Sequence, residues 1–420
     1  MNFSINSKPR VVITGIGAIT PLGNSVDELW EGAIQGKSGI RKITQFDASM
    51  YPCQIAGEIP DFKPEDYLER KMIRRVSRSA QVALGAATQA VRDAGIPDQM
   101  PDPERTGVVF ATAMGGLERS DEGIQILRTK GLSRVMPFSL PAGIPNLGSF
   151  LIAQKFNCLG PNNTITTACA AGTQSVGEAV EYIRRGAVDV VVTGGSEALI
   201  RDFAIGGFSA MRALPINYND NPRAASRPFD AKREGFIFSE GGGAVVLENL
   251  EYALARGAKI YAEIVGQASS ADAYHIAAPH PEALGPIRAM RWAMQDAEIE
   301  PQDVNYINAH GTSTPLNDAT ETKAIKEVFG EHAYKMAISS TKSMVGHAMG
   351  ASGTLEAILC TLTIKHGIIA PTINYEYPDP DCDLDYVPNQ ARDQNVDVAL
   401  SNSFGLGGQN ACLVIKKYQE

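Results

Sequence analysis

The sequence predicts an α/β protein whose sheets are covered by helices on both faces. Short runs rich in β-branched residues read as buried strands, at 11–14, 107–111, 189–195, 244–248, 305–310, 336–340 and 411–417. Amphipathic stretches between them read as helices, at 79–94, 173–185, 284–297, 318–328 and 353–365. Strands that alternate with helices in this way are typical of parallel sheets.

An internal repeat is the second observation. Gly172-Thr173 opens a predicted helix that ends at Gly186, and Gly353-Thr354 opens another that ends at Gly367. Both helices follow small residues, and a glycine after a basic last turn is a normal helix stop. We therefore expect two similar halves, with the repeated helices packed closely at their interface.

Composition excludes several classes of protein. The net charge of −9 argues against a general nucleic-acid binder. No apolar stretch reaches the roughly 18 residues that span a bilayer, and the N-terminus lacks a signal-peptide pattern. Six cysteines without a CxxC pair predict no disulfide framework. We expect a cytoplasmic protein without membrane insertion.

The segment TITTACAAGTQS (164–175) places Cys169 at the start of the first repeated helix. Aligned backbone N–H groups there would lower the pKa of a thiol, and the small neighbours leave room for an acyl group. A buried structural cysteine at a close helix contact explains the pattern equally well.

Two further segments carry histidines amid hydroxyl groups and glycines. NAHGTSTPLNDATE (308–321) holds His310 and an expected helix cap at Asp318, and STKSMVGHAMGASG (340–353) holds Lys342 and His347 in a predicted loop. An ordinary capped turn and an exposed loop are the structural alternatives. One cysteine with two histidines suggests nucleophilic acyl or group transfer. The spacing lacks the tight ligand pair of a metal site, so no metal is expected.

These segments resemble the β-ketoacyl-acyl-carrier-protein synthases of the thiolase superfamily, nearest to their elongating members. VVITGIGAITPLG, TTACAAG, NDNPRAASRPFDAKREGF, NAHGTSTPLND, STKSMVGHAMGASG and SNSFGLGGQNA carry the resemblance, which covers essentially the whole chain. It implies a thiolase-like α/β fold of two pseudo-repeated βαβαβαββ halves in a five-layered αβαβα architecture. Residues 1–255 would carry the nucleophile and residues 256–420 the two histidines. The resemblance also implies a homodimer.

The resemblance implies a reaction in which Cys169 takes an acyl chain from acyl-carrier protein as a thioester. His310 and His347 would then stabilise the enolate formed when malonyl-carrier protein loses CO2. Lys342 would order the histidines, with Glu356 beside it and counted among the substrate-contacting residues. No cofactor is implied, because the phosphopantetheine arm arrives on the carrier protein.

Further residues match the family's substrate-handling positions. Thr312 and Thr314 would hold the pantetheine arm, and Met114 and Phe208 would line the acyl tunnel. Phe404 would act as a gate, and its backbone N–H, with that of Cys169, would form a hole for the acyl carbonyl. Leu406 departs from the pattern, since a second phenylalanine is common there.

A cluster of cations is the candidate docking surface for acidic acyl-carrier protein. The spacing in ERKMIRRVSRS predicts one helical stripe, formed by Arg70, Lys71, Arg74, Arg75 and Arg78. The alternative is that these cations form an ordinary solvent-exposed helix face that binds no partner. The resemblance adds Arg212 as a further contact with the carrier protein.

Three other functions are alternatives to that of an elongating enzyme. A non-catalytic chain-length factor would lack the cysteine that this chain has. A ketosynthase of specialised metabolism would share the motifs. A degradative thiolase needs a second catalytic cysteine, for which Cys412 lies in a suitable region, but His310 and His347 fit the synthase pattern better.

Overall fold

The computed structural model of the protein describes residues 8–419. Ten strands form its main sheet. In chain order they are β1 Val11–Ile19, β2 Thr106–Ala111, β3 Asn162–Ile165, β4 Val190–Glu197, β5 Gly241–Asn249, β6 Ala262–Ala271, β7 Tyr306–Asn308, β8 Ala337–Ser339, β9 Val398–Gly405 and β10 Gln409–Lys416. All seven predicted strands are present, and β3, β6 and β9 are additional.

Six helices pack on these strands and give both halves of the chain the same order of elements. They are α1 Arg78–Asp93, α2 Leu147–Phe156, α3 Ala171–Arg184, α4 Leu284–Asp296, α5 Pro315–Phe329 and α6 Ser352–His366. The first half reads β1-α1-β2-α2-β3-α3-β4-β5, and the second reads β6-α4-β7-α5-β8-α6-β9-β10. The predicted pair of βαβαβαββ halves is therefore confirmed.

Further helices and strands lie between and around the elements of the two halves. The helices are Val26–Ile34, Arg70–Ile73, Leu117–Lys130, Ser139–Gly143, Asp202–Ala210, Leu250–Ala255 and Lys342–Val345, and the strands are Arg41–Lys42, Ile55–Ala56, Ile368–Ile369 and Arg392–Asp393. The expected boundary between residues 255 and 256 falls between helix Leu250–Ala255 and β6, and it stays a prediction.

The sheet is mixed, not parallel as the alternation of strands and helices predicted. Its order is β8-β7-β9-β10-β6-β1-β5-β4-β2-β3. Only the pairs around β2 and β7 are parallel, while β4–β5 and β9–β10 are antiparallel. A tight turn at 406–408 joins β9 to β10, whereas residues 198–240 connect β4 to β5. The halves meet where Val12 and Ile13 of β1 pair with Glu263 and Ala262 of β6.

The helices complete the five layers. α1 and α2 cover the strands of the first half on the outside, and α4 and α5 flank the second half. The repeated helices α3 and α6 lie between the two groups of strands and contact both. Every residue from Ser352 to Ile364 of α6 is buried, which explains its lack of a polar face. Within residues 8–419, no helix is long and apolar enough to cross a membrane.

Glycines let the repeated helices approach each other. A Cβ on Gly353 would lie 2.5 Å from the backbone nitrogen of Thr173, and one on Gly172 would lie 2.9 Å from that of Thr354. The Thr354 hydroxyl donates to the Gly172 carbonyl at 3.2 Å. The close contact expected from the sequence is thus confirmed, and it brings the two helix starts together.

The substitution Gly353→Ala should destabilise the protein. The added methyl group meets backbone that cannot move without shifting α3, and such overpacking costs typically about 1–3 kcal/mol. Urea unfolding measures the change. Gly207→Ala is the matched control, because nothing lies within 4 Å of a Cβ there and Gly207 is also helical. An equal midpoint for Gly353→Ala and the wild type would contradict the proposed constraint.

Candidate active site

The three segments that carry chemistry meet where the repeated helices begin. Cys169 lies in the 3₁₀ turn Ala168–Ala170, between β3 and α3. His310 follows β7, and His347 follows the short helix Lys342–Val345. The contact between the halves therefore assembles a site to which each half contributes.

The three side chains form a compact buried group. The Sγ of Cys169 and one ring nitrogen of each histidine all lie within 4.8 Å of one another. The imidazole centroids of His310 and His347 are 5.4 Å apart, with the rings nearly perpendicular. Such a set could also hold a metal ion, so the expected absence of a metal stays a prediction.

Strained backbone holds the turn at Cys169. Ala168 has φ +50°, and Met349, its counterpart 181 positions along the chain, has φ +41°. Non-glycine residues rarely adopt this left-handed region. The Met349 sulfur lies 4.0 Å from the Cys169 sulfur, and the counterpart of Cys169 itself is Gly350. The repeat thus extends into the site.

The site opens into a cavity of about 460 Å³. Its walls include eight of the residues predicted from the sequence: Cys169, Phe208, Arg212, His310, Thr312, Thr314, His347 and Phe404. The Thr312 and Thr314 hydroxyls lie 2.9 Å apart on this wall. The Thr314 hydroxyl also caps α5 by accepting the N–H of Asn317, so the expected cap at Asp318 is wrong.

The thiol differs from the sequence prediction. Burial raises the pKa of Cys169 to about 11, while the N–H of Leu406 and the charge of Lys342 act in the opposite direction. The residue is only 5% exposed. Desolvation therefore outweighs the helix terminus, and the resting thiol is neutral.

Both histidines are neutral as well. Burial, and then the charge of Lys342, holds the pKa of His347 well below its usual range, and His310 behaves alike. The Ser352 hydroxyl lies 2.9 Å from Nδ1 of His347. When it donates to Nδ1, the ring proton is on Nε2, which is buried and has no partner among the described residues. That nitrogen can then donate to a substrate oxygen.

Lys342 and Glu356 form a buried ion pair behind the histidines. Lys342 is 1% exposed and belongs to a short helix, so the predicted loop is wrong. Glu356 lies on α6 and not on the wall of the cavity, which corrects its inclusion among substrate-contacting residues. Removing one partner from a buried pair leaves an uncompensated charge.

Sequence reasoning missed the carboxylate that holds the His310 loop. Glu321 accepts the backbone N–H groups of His310 and Gly311, at 2.8 and 2.7 Å. Glu321 closes the segment NAHGTSTPLNDATE, whose pattern indicated no role for it beyond the start of a helix. Asp318, one turn earlier on α5, accepts the N–H of Phe229 at 2.8 Å and is fully buried. Both carboxylates bind backbone N–H groups, so no residue identity in the sequence signals these contacts.

Phe404, the predicted gate, lies at the end of β9, with its ring centroid 5.7 Å from that of His310. Gly407 and Gly408 follow with φ of +86° and +73°. Those conformations require glycine, and the Gly408 carbonyl accepts the N–H of Asp272. The turn after Phe404 therefore depends on glycine at both positions, and the gating role of Phe404 stays a prediction.

An apolar cluster extends inward from the thiol. Cys169, Phe208 and Met349 belong to it, and Met114 packs against it without lining the cavity. The two residues predicted to line the acyl tunnel thus belong to, or pack against, the apolar cluster that contains Cys169.

The cationic segment is not one helical stripe. Helix Arg70–Ile73 ends before α1 begins at Arg78, because Ser77 caps the new helix. Arg78 pairs with the buried Glu240 at 2.6 Å, and the Arg75 guanidinium stacks 4.5 Å from the ring of Phe138. The exposed cations of this segment are Arg70, Lys71 and Arg74.

The duplicated five-layer fold, with one cysteine and two histidines at the junction of its halves, defines a thiolase-like protein. The family model for the N-terminal domain of β-ketoacyl synthases matches residues 8–253, and the model for the C-terminal domain matches residues 261–376. The chain belongs to the β-ketoacyl synthase family.

Similar proteins cover nearly the whole chain. A 3-oxoacyl-[acyl-carrier-protein] synthase 2 from Synechocystis is 49% identical over 98% of this chain and 99% of its own length. The enzyme of that name from Staphylococcus aureus is 49% identical over 99% of this chain and its full length. A ketosynthase of a type II polyketide system, solved with its acyl-carrier protein, is 37% identical, covers 98% of this chain and 100% of its own, and has a TM-score of 0.89. A β-ketoacyl synthase from Burkholderia phymatum is 34% identical with the same coverage and a TM-score of 0.91.

The depressed pKa of His347 predicts a pH dependence of stability. Below about pH 6.5 the unfolded histidine binds a proton that the buried one does not, so the wild type should lose stability relative to His347→Gln. The difference should approach about 1.4 kcal/mol per pH unit until the folded pKa is reached. Urea unfolding at pH 7.5, 6.5 and 5.5 measures it. Parallel stability curves for the two proteins would show that the native imidazole protonates normally.

Proposed function

We propose that this protein is an elongating 3-oxoacyl-[acyl-carrier-protein] synthase, which extends fatty acids by two carbons. It condenses malonyl-carrier protein with an acyl chain held on Cys169 and releases CO2. The observation that carries the proposal is the group of Cys169, His310 and His347, within 4.8 Å of one another in the wall of the cavity. The 49% identity to synthases of this name supports the choice.

The first step transfers the acyl chain. The Cys169 sulfur attacks the thioester carbonyl of acyl-carrier protein, and the bond from that carbonyl to the pantetheine sulfur breaks. The thiol proton passes to the departing sulfur, and a neutral imidazole beside the thiol can carry it. Because the resting thiol is neutral, the proton leaves during attack and not before it.

The second step makes the carbon nucleophile. Loss of CO2 from the malonyl group leaves negative charge on its thioester oxygen, and His310 and His347 donate hydrogen bonds to that oxygen. Neutral imidazoles suit this task, because donors fixed in a buried site need no reorganisation as the charge develops. The enolate carbon then attacks the Cys169 thioester, forms the new carbon–carbon bond and frees the thiolate, which regains a proton.

The surrounding residues have supporting roles in this scheme. Burial, and then the charge of Lys342, keeps both imidazoles unprotonated, and Glu356 compensates the buried lysine. Thr312 and Thr314 hold the pantetheine arm, and Phe404 opens to admit it. The backbone N–H groups of Cys169 and Phe404 hold the acyl carbonyl. The acyl chain then runs past Phe208 and Met114.

Acyl-carrier protein is the partner in this proposal, and it brings its own phosphopantetheine arm, so the enzyme needs no cofactor of its own. Arg70, Lys71 and Arg74 offer exposed positive charge for an acidic partner, and Arg212 lies at the cavity. A similar polyketide ketosynthase has been solved with its acyl-carrier protein. The location that we propose is the cytoplasm, and a homodimer stays a prediction.

A ketosynthase of specialised metabolism is the second candidate. Leu406 replaces the loop phenylalanine that is common in the family, and one similar structure is the ketosynthase of a type II polyketide system. A profile of acyl-chain lengths transferred to Cys169 separates the candidates. Saturated chains of increasing length support fatty-acid elongation, whereas selective use of β-keto chains supports the alternative. A non-catalytic partner subunit is disfavoured by the intact cysteine and histidines.

The substitution Cys169→Ala should abolish condensation and leave malonyl decarboxylation, because both histidines remain. In that background His310→Ala or His347→Ala should slow decarboxylation about 10²–10³-fold, the usual effect of losing one oxyanion donor. Release of CO2 from malonyl-carrier protein measures the second step, and mass spectrometry of the products measures condensation. Condensation by Cys169→Ala would refute the assignment, and near-normal decarboxylation in both histidine variants would refute the oxyanion role.

The substitution Lys71→Glu should weaken use of acyl-carrier protein. We expect KM for the carrier-bound substrate to rise several-fold with little change in kcat, and the difference to shrink with added salt as charges are screened. Lys335→Glu, an exposed lysine in the second half of the chain, controls for net charge. Equal effects of both variants would show that the exposed cations do not form a docking surface.

A further inference from the structure

Glu197, at the end of β4, is a buried carboxylate that the scheme above does not use. It is 0% exposed and has no cationic partner within salt-bridge distance among the described residues. Charged groups are rarely buried without a partner because desolvation is costly. Its hydrogen bonds therefore indicate what it does.

Glu197 holds the loop that follows β2. Its carboxylate accepts the backbone N–H groups of Ala113 and Met114, at 2.7 and 3.3 Å, and the hydroxyl of Thr112 at 3.2 Å. Met114 packs against the apolar cluster that contains Cys169 and Phe208. The carboxylate thus fixes the backbone of a residue on the acyl side of the site.

The same carboxylate reaches the second half of the chain. Its Oε2 atom, which binds Ala113, also accepts the N–H of Gly350 at 3.4 Å. Gly350 follows Met349, whose sulfur lies 4.0 Å from that of Cys169. A Cβ on Gly350 would lie 2.5 Å from the nitrogen of Ala113, so the two loops are in direct contact. Glu197 therefore joins two walls around the nucleophile.

Glu321 provides a comparison from the second half. It too is fully buried and accepts two consecutive backbone N–H groups, those of His310 and Gly311, in the loop that follows β7. β2 and β7 occupy equivalent places in the repeat. Each half thus has one buried carboxylate that holds the loop after its parallel central strand.

We propose that Glu197 is a positioning residue that determines how the acyl chain fits beside Cys169, whereas Glu321 positions the histidine that acts in decarboxylation. This inference rests on the proposed function. The two carboxylates act in separate steps of the reaction. Glu197 contacts the loops at Met114 and Met349 and affects acylation of Cys169, whereas Glu321 contacts the loop at His310 and affects decarboxylation.

The substitution Glu197→Gln tests the division. An amide keeps the shape but turns one oxygen that accepts N–H groups into a donor, so the Ala113–Met114 loop should shift. The rate of transfer to Cys169 should fall at least tenfold more for a sixteen-carbon than for a four-carbon acyl-carrier protein, as followed by intact-protein mass. Malonyl decarboxylation should stay within threefold of the wild type.

Glu321→Gln is the matched control. It should reduce decarboxylation at least tenfold and leave the ratio of the acylation rates for the four-carbon and sixteen-carbon chains unchanged.

Thr112→Val removes one hydroxyl donor to Glu197 and should shift this ratio of acylation rates two- to fivefold. This variant keeps the test valid if Glu197→Gln does not fold. Equal loss at both chain lengths and in decarboxylation, or an unchanged ratio, would overturn the inference. A wild type that neither accepts acyl chains nor decarboxylates malonyl-carrier protein would instead overturn the proposed function.

Discussion

The contact between α3 and α6 is the constraint on which the rest of the structure depends. Gly172 and Gly353 bring the two helix starts so close that each meets the other's threonine backbone. Because Cys169 precedes one helix and His347 precedes the other, this packing decides the distance from the thiol to an imidazole. A contact in the middle layer of the fold thus determines how the reactive side chains lie relative to each other.

Burial then determines the chemical state of the assembled groups. The thiol and both imidazoles are nearly inaccessible, and desolvation keeps all three neutral. Lys342 lies behind the histidines in an ion pair with Glu356 and still disfavours imidazolium. The thiol and the two imidazoles are thus uncharged at rest, so the negative charge that develops during decarboxylation comes from the substrate.

Much of this arrangement was predictable from the sequence. The internal repeat predicted two similar halves and their central helices. It could be recognised because a Gly-Thr pair at the start of a helix and basic residues at its end are local features of the sequence. Cys169, His310 and His347 were singled out by their small or hydroxyl-bearing neighbours, and the family resemblance added Phe404 and Glu356. Two predictions failed for different reasons. The thiol pKa depends on burial by loops that are distant in the sequence. The cationic stripe was interrupted by a local feature, the cap at Ser77, which starts a new helix.

The carboxylates Glu197 and Glu321 could not be recognised because their partners are backbone N–H groups, which leave no mark in the identities of the residues they hold. The antiparallel pairs β4–β5 and β9–β10 were missed because the alternation of strands and helices does not fix the direction of each strand. Residues 406–408 join β9 to β10 directly, but residues 198–240 connect β4 to β5, and only the register of the strands shows that both pairs are antiparallel.

The counterpart of Cys169 in the repeat is Gly350, and any side chain there would collide with Ala113. A second nucleophile at the related position would therefore require the halves to separate. The duplication supplies two scaffolds but room for only one reactive centre. Each polypeptide is thus restricted to a single covalent occupant at a time, and saturation with acyl donor should end at one adduct per chain.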